Sequence, residues 1–249
     1  MHTPIRVLIT GAYGLIGNLV CRQLYASPDQ YDVYGLVRRR QASDRLPQAS
    51  LLVLPDDKLY AGSTADMDIV RQAVQGMDVV VHMAADPNTN ATWDSLLPNN
   101  IIATRNILEA SRQAGVRRVI VASTVQVVWG YCDQEPYASL WAGRFDTLRP
   151  SDIKPITHEQ PARPINLYGA SKVWAEALAH VYAHTTDLSC LCVRIGWVDF
   201  IEPPQNPRSR SMWCSQRDIT HLIECCINAP KDLRFDIFFG ISDNTFKLV

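Results

Sequence analysis

Val7-Leu8-Ile9-Thr10-Gly11-Ala12-Tyr13-Gly14-Leu15-Ile16-Gly17 is an apolar run that ends in glycines at every third position and gives way to a helical pattern. A strand that enters a helix through such a turn makes a site for a diphosphate. Gly11 permits the tight turn, Gly14 lets the backbone approach the anion, and Gly17 packs the helix against the sheet. The helix that starts at Leu15 and Ile16 offers unpaired N–H groups and positive potential to the ligand. Gly11, Tyr13, Gly14, Leu15, Ile16 and Gly17 are therefore the first candidate cofactor-binding residues.

Outward from this turn, strand-like and helix-like segments alternate nearly to the end of the chain. Short runs rich in Val, Ile and Leu predict strands at 5–10, 32–37, 50–54, 78–83, 118–123, 188–195 and 235–239. Unalternating apolar runs suit strands covered on both faces, as in a parallel sheet. Amphipathic patterns predict helices near 15–26, 66–75, 100–114, 166–184 and 216–228. The order argues for an α/β fold: a Rossmann doubly wound parallel sheet with a small C-terminal substrate-binding part. One Rossmann-type domain over 1–249 is expected. Two proline-rich stretches, 125–165 and 197–215, break the rhythm and read as loops over the substrate. Both leave the carboxyl ends of predicted strands, the edge where ligands bind in open α/β sheets.

Composition narrows the partners. With 24 Lys+Arg against 25 Asp+Glu, the net charge is −1, and no basic run exceeds Arg38-Arg39-Arg40. A nucleic-acid surface is not expected. No stretch reaches eighteen apolar residues in a row, so no membrane helix is expected. Met1-His2-Thr3-Pro4-Ile5-Arg6 runs straight into a core strand without a leader pattern, which makes the cytoplasm the expected compartment. The 7 cysteines make no C-x-x-C pair and read as reduced, mostly buried thiols.

Tyr168-Gly169-Ala170-Ser171-Lys172 opens the fourth long helical pattern. A spacing of four puts the phenol and the ammonium on one face, one turn apart. A free tyrosine loses its proton near pH 10, and a nearby cation favours the phenolate. The expectation is a tyrosine made more acidic by Lys172. Val119-Ile120-Val121-Ala122-Ser123-Thr124 is an apolar strand ending in two hydroxyls, each of which can reach a substrate oxygen or the tyrosine; satisfying a turn is the other use for them. His180 and His184 also share a face, but no Glu stands in the metalloprotease position between them, and no metal site is expected.

Together these features resemble the short-chain dehydrogenase/reductase superfamily, in its extended NAD-dependent epimerase/dehydratase branch. The matching pieces are Thr10 to Gly17, His82-Met83-Ala84-Ala85, Asn100 to Asn106, Ser123-Thr124 with Val128-Trp129-Gly130, and Tyr168 to Lys172. The resemblance spans about residues 5–240. It implies an oxidoreductase that moves a hydride reversibly between nicotinamide and an alcohol or carbonyl of a small substrate. Tyr168 would be the general acid/base, Lys172 would hold the nicotinamide ribose, and Thr124, with Ser123 beside it, would polarise the reacting oxygen. Asn100, with Asn99 competing for the part, would support a proton-relay water; Ala84 and Ala85 would line the cofactor path. The second strand runs into Arg38 and Arg39 rather than an acid, which suits the 2′-phosphate of NADP, with NAD as the alternative. Ser63 stands where many relatives carry an Asp against the adenine.

The nearest subgroup is the uronate dehydrogenases, matched at Pro161 to Gly169, Val193 to Gly196 and Arg208 to Ser215. By that resemblance Arg208, or Arg210, would bind a substrate carboxylate. Gln126 and Trp197 replace a His and a Ser of that subgroup, so the substrate pocket is expected to differ. A sugar, a sugar acid or a similar small molecule is the expected substrate. A nucleotide-sugar epimerase and a non-catalytic NADP-binding sensor or scaffold are the alternatives. Family members often form homodimers through the helix at 100–114 and the Tyr–Lys helix. Ala175, Leu178, Ala179 and Tyr182 suit that contact, or equally a contact with the sheet.

Overall fold

The computed structural model describes residues 3–204 and 206–249, without the side chains of Pro207 and Arg208. Strand β1 (Ile5–Thr10) leads through the glycine turn into α1 (Leu15–Tyr25), and β2 (Tyr31–Val37) follows. Then come β3 (Leu59–Ala61), α2 (Met67–Val74) and β4 (Val79–His82). A short helix α3 (Trp93–Leu96) passes through a π-helical turn (Leu97–Ile102) into α4 (Ala103–Gln113). Next are β5 (Arg118–Thr124), α5 (Tyr137–Trp141), α6 (Leu167–Thr185) and β6 (Ser189–Ile195). The chain continues through α7 (Pro207–Arg210), α8 (Gln216–Asn228) and β7 (Phe235–Gly240).

The strands form one sheet in the order β3-β2-β1-β4-β5-β6-β7, every neighbouring pair parallel. The order reverses between β1 and β4, which opens a crevice above their carboxyl ends. Alternation along β1 shows why both faces need cover. Val7 and Ile9 enter the core under α1 and α8, while Leu8 enters the core under α2, α4 and α6. Ala175 and Ala179 of α6 are buried in that second core, with Leu178 and Tyr182 packed against it. Ala175 and Ala179 thus face the sheet, while Leu178 and Tyr182 stay partly exposed.

Two expectations need correction. The strand expected at 50–54 does not form: Ser50 closes a 3-10 turn (Gln48–Ser50), and 51–54 have no ladder partner. Their backbone bonds to side chains: Leu52 O and N pair with the Asn18 amide, and Leu54 N donates to the Tyr13 hydroxyl at 3.3 Å. Leu54 is buried beside Gly35 while Val53 points outward, so the apolar run was a packing segment. The ladder place beside β2 goes to Leu59–Ala61, too short to show a period. Residues 125–165 are not irregular throughout either. A 3-10 helix (Val125–Asp133) and α5 carry Val127, Val128, Tyr131 and Leu140 into a third core with Ile153, Ile156, Met212 and Leu248. Ile156 N donates to Leu248 O at 2.9 Å, tying this layer to the segment after β7.

Candidate active site

The crevice is a cleft of about 870 Å³ that runs from the glycine turn, past the ends of β2 and β4, to Thr124, Tyr168, Lys172 and Trp197. At one end Gly11 adopts φ +67°, and a Cβ there would lie 2.9 Å from Ala84 N. A Cβ on Gly17 would lie 2.2 Å from Gly11 O, so α1 seats directly on the turn. Gly14 meets only Gly11 O at 3.2 Å. Asn18 N makes a bond to Gly14 O, one turn back, leaving the N–H groups of Leu15, Ile16 and Gly17 without helical partners. Tyr13 lines the cleft, although its hydroxyl is turned to Leu54.

The floor is fixed by a buried relay. Thr10 Oγ1 lies 2.8 Å from His82 Nδ1 and accepts from Ala84 N at 3.1 Å; His82 Nε2 lies 3.2 Å from Thr104 Oγ1. Burial, helped by the Lys172 charge, pushes His82 down to about 3, so the ring is neutral. The relay holds Ala84 against Gly11 and leaves Ala84 and Ala85 facing the cleft.

At the far end Tyr168 and Lys172 are both buried, and Lys172 Nζ lies 5.9 Å from the Tyr168 ring centroid. The ammonium donates to Ala122 O at 2.9 Å. Burial raises the Tyr168 pKa to about 12; a hydrogen bond from Thr124 and the Arg45 charge pull it down, and Asp86 pushes it up. Burial lowers Lys172 to about 8, against the pull of neighbouring groups that include Glu176. The expected acidification of the tyrosine is therefore absent from this state. Desolvation of the phenolate outweighs every favourable charge around it.

The remaining candidates divide by what their polar atoms touch. Arg38 and Arg39 are exposed at the cleft rim after β2, Arg38 reaching Asn99 Oδ1 at 3.4 Å, while Arg40 is taken up by Asp56. Ser63 lines the cleft with its Oγ accepting from Ala65 N. Gln126 lines it too; its Oε1 accepts from Asn166, the residue whose Oδ1 caps α6 through Gly169 N at 2.7 Å. Trp197 borders the cleft and stacks on Trp129 at 6.2 Å, and Trp129 meets Trp141 edge-on at 5.1 Å.

Two candidate side chains have their polar atoms committed to other groups, and a third lies outside the described residues. Asn100 is behind the wall: its amide clamps the backbone of Asp86 and donates to Ser171 Oγ at 3.0 Å, while Asn99 faces the cleft. Both asparagines lie in the π turn Leu97–Ile102, where adjacent side chains leave the helix in different directions. Ser123 spends its hydroxyl on Glu176 Oε1 at 2.5 Å, which leaves Thr124 as the hydroxyl beside the tyrosine. Arg208 has its side chain outside the described residues, so its carboxylate role has no geometry here.

Sequence reasoning missed Arg45, which crosses the cleft mouth to donate to Val198 O at 2.5 Å. It also missed Glu176 and Arg194, a buried bidentate pair between α6 and β6. Nothing in the sequence marks Arg45, but Glu176 repeats the Tyr168–Lys172 spacing of four.

The sequence profile of the NAD dependent epimerase/dehydratase family matches residues 7–198. The chain is 35% identical over 244 residues to NAD-dependent glucose-6-phosphate dehydrogenase of Haloferax volcanii, covering 97% of this chain and 86% of that one. It is 32% identical to L-arabinose 1-dehydrogenase (NAD(P)(+)) of the same organism, over 86% of this chain and 78% of the relative. Among solved structures it is similar to a mutant uronate dehydrogenase from Agrobacterium tumefaciens complexed with NAD. That match has a TM-score of 0.76 at 26% identity and covers 99% of this chain and 80% of the other.

Proposed function

The chain belongs to the NAD-dependent epimerase/dehydratase family of extended short-chain dehydrogenases/reductases, and from that membership we propose how its cleft works. It is an NAD(P)-dependent oxidoreductase for an alcohol or carbonyl of a small molecule. When bound, the dinucleotide supplies the hydride-exchanging ring and, oxidised, a positive charge beside the phenol that opposes burial. The residues of the chain bind, orient and move the proton.

The free N–H groups of Leu15, Ile16 and Gly17 take the diphosphate, while Ala84 and Ala85 flank the path. Ser63 sits toward the adenine. Lys172, anchored by Ala122 O, holds the nicotinamide ribose. Thr124 bonds the reacting oxygen, and Tyr168 gives that oxygen its proton or takes it away. Ser123 and Asn100 are supports rather than participants. The single observation behind this reading is that Tyr168, Thr124 and Lys172 stand at one end of the cleft that begins at the glycine turn.

Arg38 and Arg39 support a preference for NADP over NAD, since β2 ends on these arginines at the cleft rim and not on a carboxylate. The substrate is a small sugar or sugar acid, as the relatives' names suggest. Trp197, backed by Trp129, suits the C–H side of a pyranose ring, Gln126 suits its hydroxyls, and Arg208 suits an acidic group. The test is turnover with NADP and NAD on neutral aldoses, sugar phosphates and uronic acids. Nicotinamide reduction with one of these classes is expected. Tight dinucleotide binding with no turnover on any alcohol or carbonyl would overturn the reading in favour of a sensor.

Ile102 exposes apolar surface at the start of α4 and Leu167 and Val181 on α6, and a homodimer pairing those helices would cover it. Among the described residues no helix is long and apolar enough to cross a membrane. A reducing cytoplasm suits cysteines that stand free.

A further inference from the structure

Glu176 lies one helical turn beyond Lys172 on α6 and is 5% exposed. Its Oε1 accepts from Ser123 Oγ at 2.5 Å and Arg194 Nε at 2.9 Å; its Oε2 accepts from Arg194 Nη2 at 2.9 Å. Arg194, 3% exposed, sits directly across the ladder from Ser123 and lies 5.2 Å over the Phe239 ring. Its remaining nitrogen, Nη1, is buried and bonds to no described residue. The pair therefore joins α6, β5 and β6 one residue before Thr124 and one turn beyond Lys172. Buried ion pairs seldom add stability over an apolar pair of the same volume, so its position asks for another role.

Lys172 is the group it faces. Around that ammonium stand Tyr168 and Glu176 from its own helix, Cys192 from β6 and His82 from β4, while Arg194 of β6 is bonded to Glu176 and lies near Cys192. His82 is neutral, and burial keeps the Cys192 thiol and the Tyr168 phenol protonated. The charge beside Lys172 among these is then the Glu176 carboxylate, itself paired with the opposite charge of Arg194. We propose that Glu176 and Arg194 are positioning residues whose balanced charges keep Lys172 an ammonium where it holds the dinucleotide ribose. This rests on the ribose role assigned to Lys172 above.

The test uses binding. NADPH and NADH affinities are measured by nucleotide fluorescence from about pH 6 to pH 10, and the pH at which affinity falls reads the loss of the lysine proton. Glu176→Gln and Arg194→Gln each keep hydrogen-bonding shape and remove one charge. Glu176→Gln leaves Arg194 facing Lys172 and should move the fall down by about one pH unit or more; Arg194→Gln leaves the carboxylate and should move it up by a similar amount. A merely structural pair would weaken binding in both variants with the midpoint unmoved. An unmoved midpoint, or one moving the same way in both, overturns the proposal. If one variant does not fold, the direction of shift in the other decides. Lys172→Met should flatten the profile; a Lys172→Met protein with the parent's pH dependence would instead refute the ribose role, and so separates the two failures.

Discussion

Tyr168 is a phenol enclosed by protein, and that enclosure makes it hold its proton more firmly, up to about 12. The residue pattern Tyr168–Lys172 was legible because helical spacing is a local property. The sign of the pKa shift was not, because burial is set by packing from Thr124, Gln126 and the 3-10 layer far along the chain. Asn99 and Asn100 show the same limit: both lie in a π turn that no pattern announces, and Asn99 lines the cleft while Asn100 is buried behind it. Arg38 and Arg39 carry the prediction for cofactor choice. Replacing both with Ala should weaken NADPH binding tenfold or more, the effect of losing about 1.5–3 kcal/mol of charge-assisted bonding, and leave NADH nearly unchanged. Titration calorimetry with both nucleotides checks it, and equal losses would remove the preference. His82 carries a second prediction. Its folded pKa near 3 lies below the ordinary 6.5, so the unfolded chain takes a proton the folded protein refuses. Its stabilising contribution is complete above pH 6.5 and is lost as pH falls; by pH 4.5 the loss is about 2–3 kcal/mol. Urea unfolding at both pH values should show the loss in the parent, and a smaller one in His82→Gln.

The element that decides the fold, β1 turning into α1, was legible because its glycines answer steric demands that the structure makes visible. Gly17→Ala would drive a Cβ into Gly11 O, 2.2 Å away, and should cost about 1–3 kcal/mol along with most dinucleotide affinity. Gly14→Ala meets an atom only at 3.2 Å and should keep the melting temperature closer to the parent's while weakening nucleotide binding. Equal melting losses in the two variants would contradict the separate roles given to these glycines. The third strand was misplaced for a physical reason. Residues 51–54 have the composition of a strand, but Asn18 and Tyr13 supply their hydrogen bonds, a tertiary arrangement that composition cannot report. The 125–165 stretch was read as loose because its prolines break helical and strand periods. Its apolar residues nevertheless find Met212 and Leu248, distant in sequence, and close a core.

Across the whole molecule, binding and stability sit at opposite edges of the sheet. The ligand cleft lies at the carboxyl ends, while at the amino end of β5 Arg118 is buried. It donates to Ser189 Oγ and to the carbonyls of Cys226, Ala229, Pro230 and Leu233, sealing the end of α8. Arg118→Met would strand those carbonyls, at a cost of about 3 kcal/mol or more. The melting temperature should drop by roughly 6–12 °C, with nucleotide affinity unchanged in the folded protein. Both edges serve one central claim: the cleft seats a dinucleotide with its reactive ring beside Tyr168, and that residue moves the proton. The most direct test compares nucleotide affinity and single-turnover rate in Tyr168→Phe. The predicted result is affinity within about threefold of the parent and a rate lower by about 10²–10⁴-fold. An unchanged rate would contradict the claim, and so would a rate loss matched by an equal loss of binding.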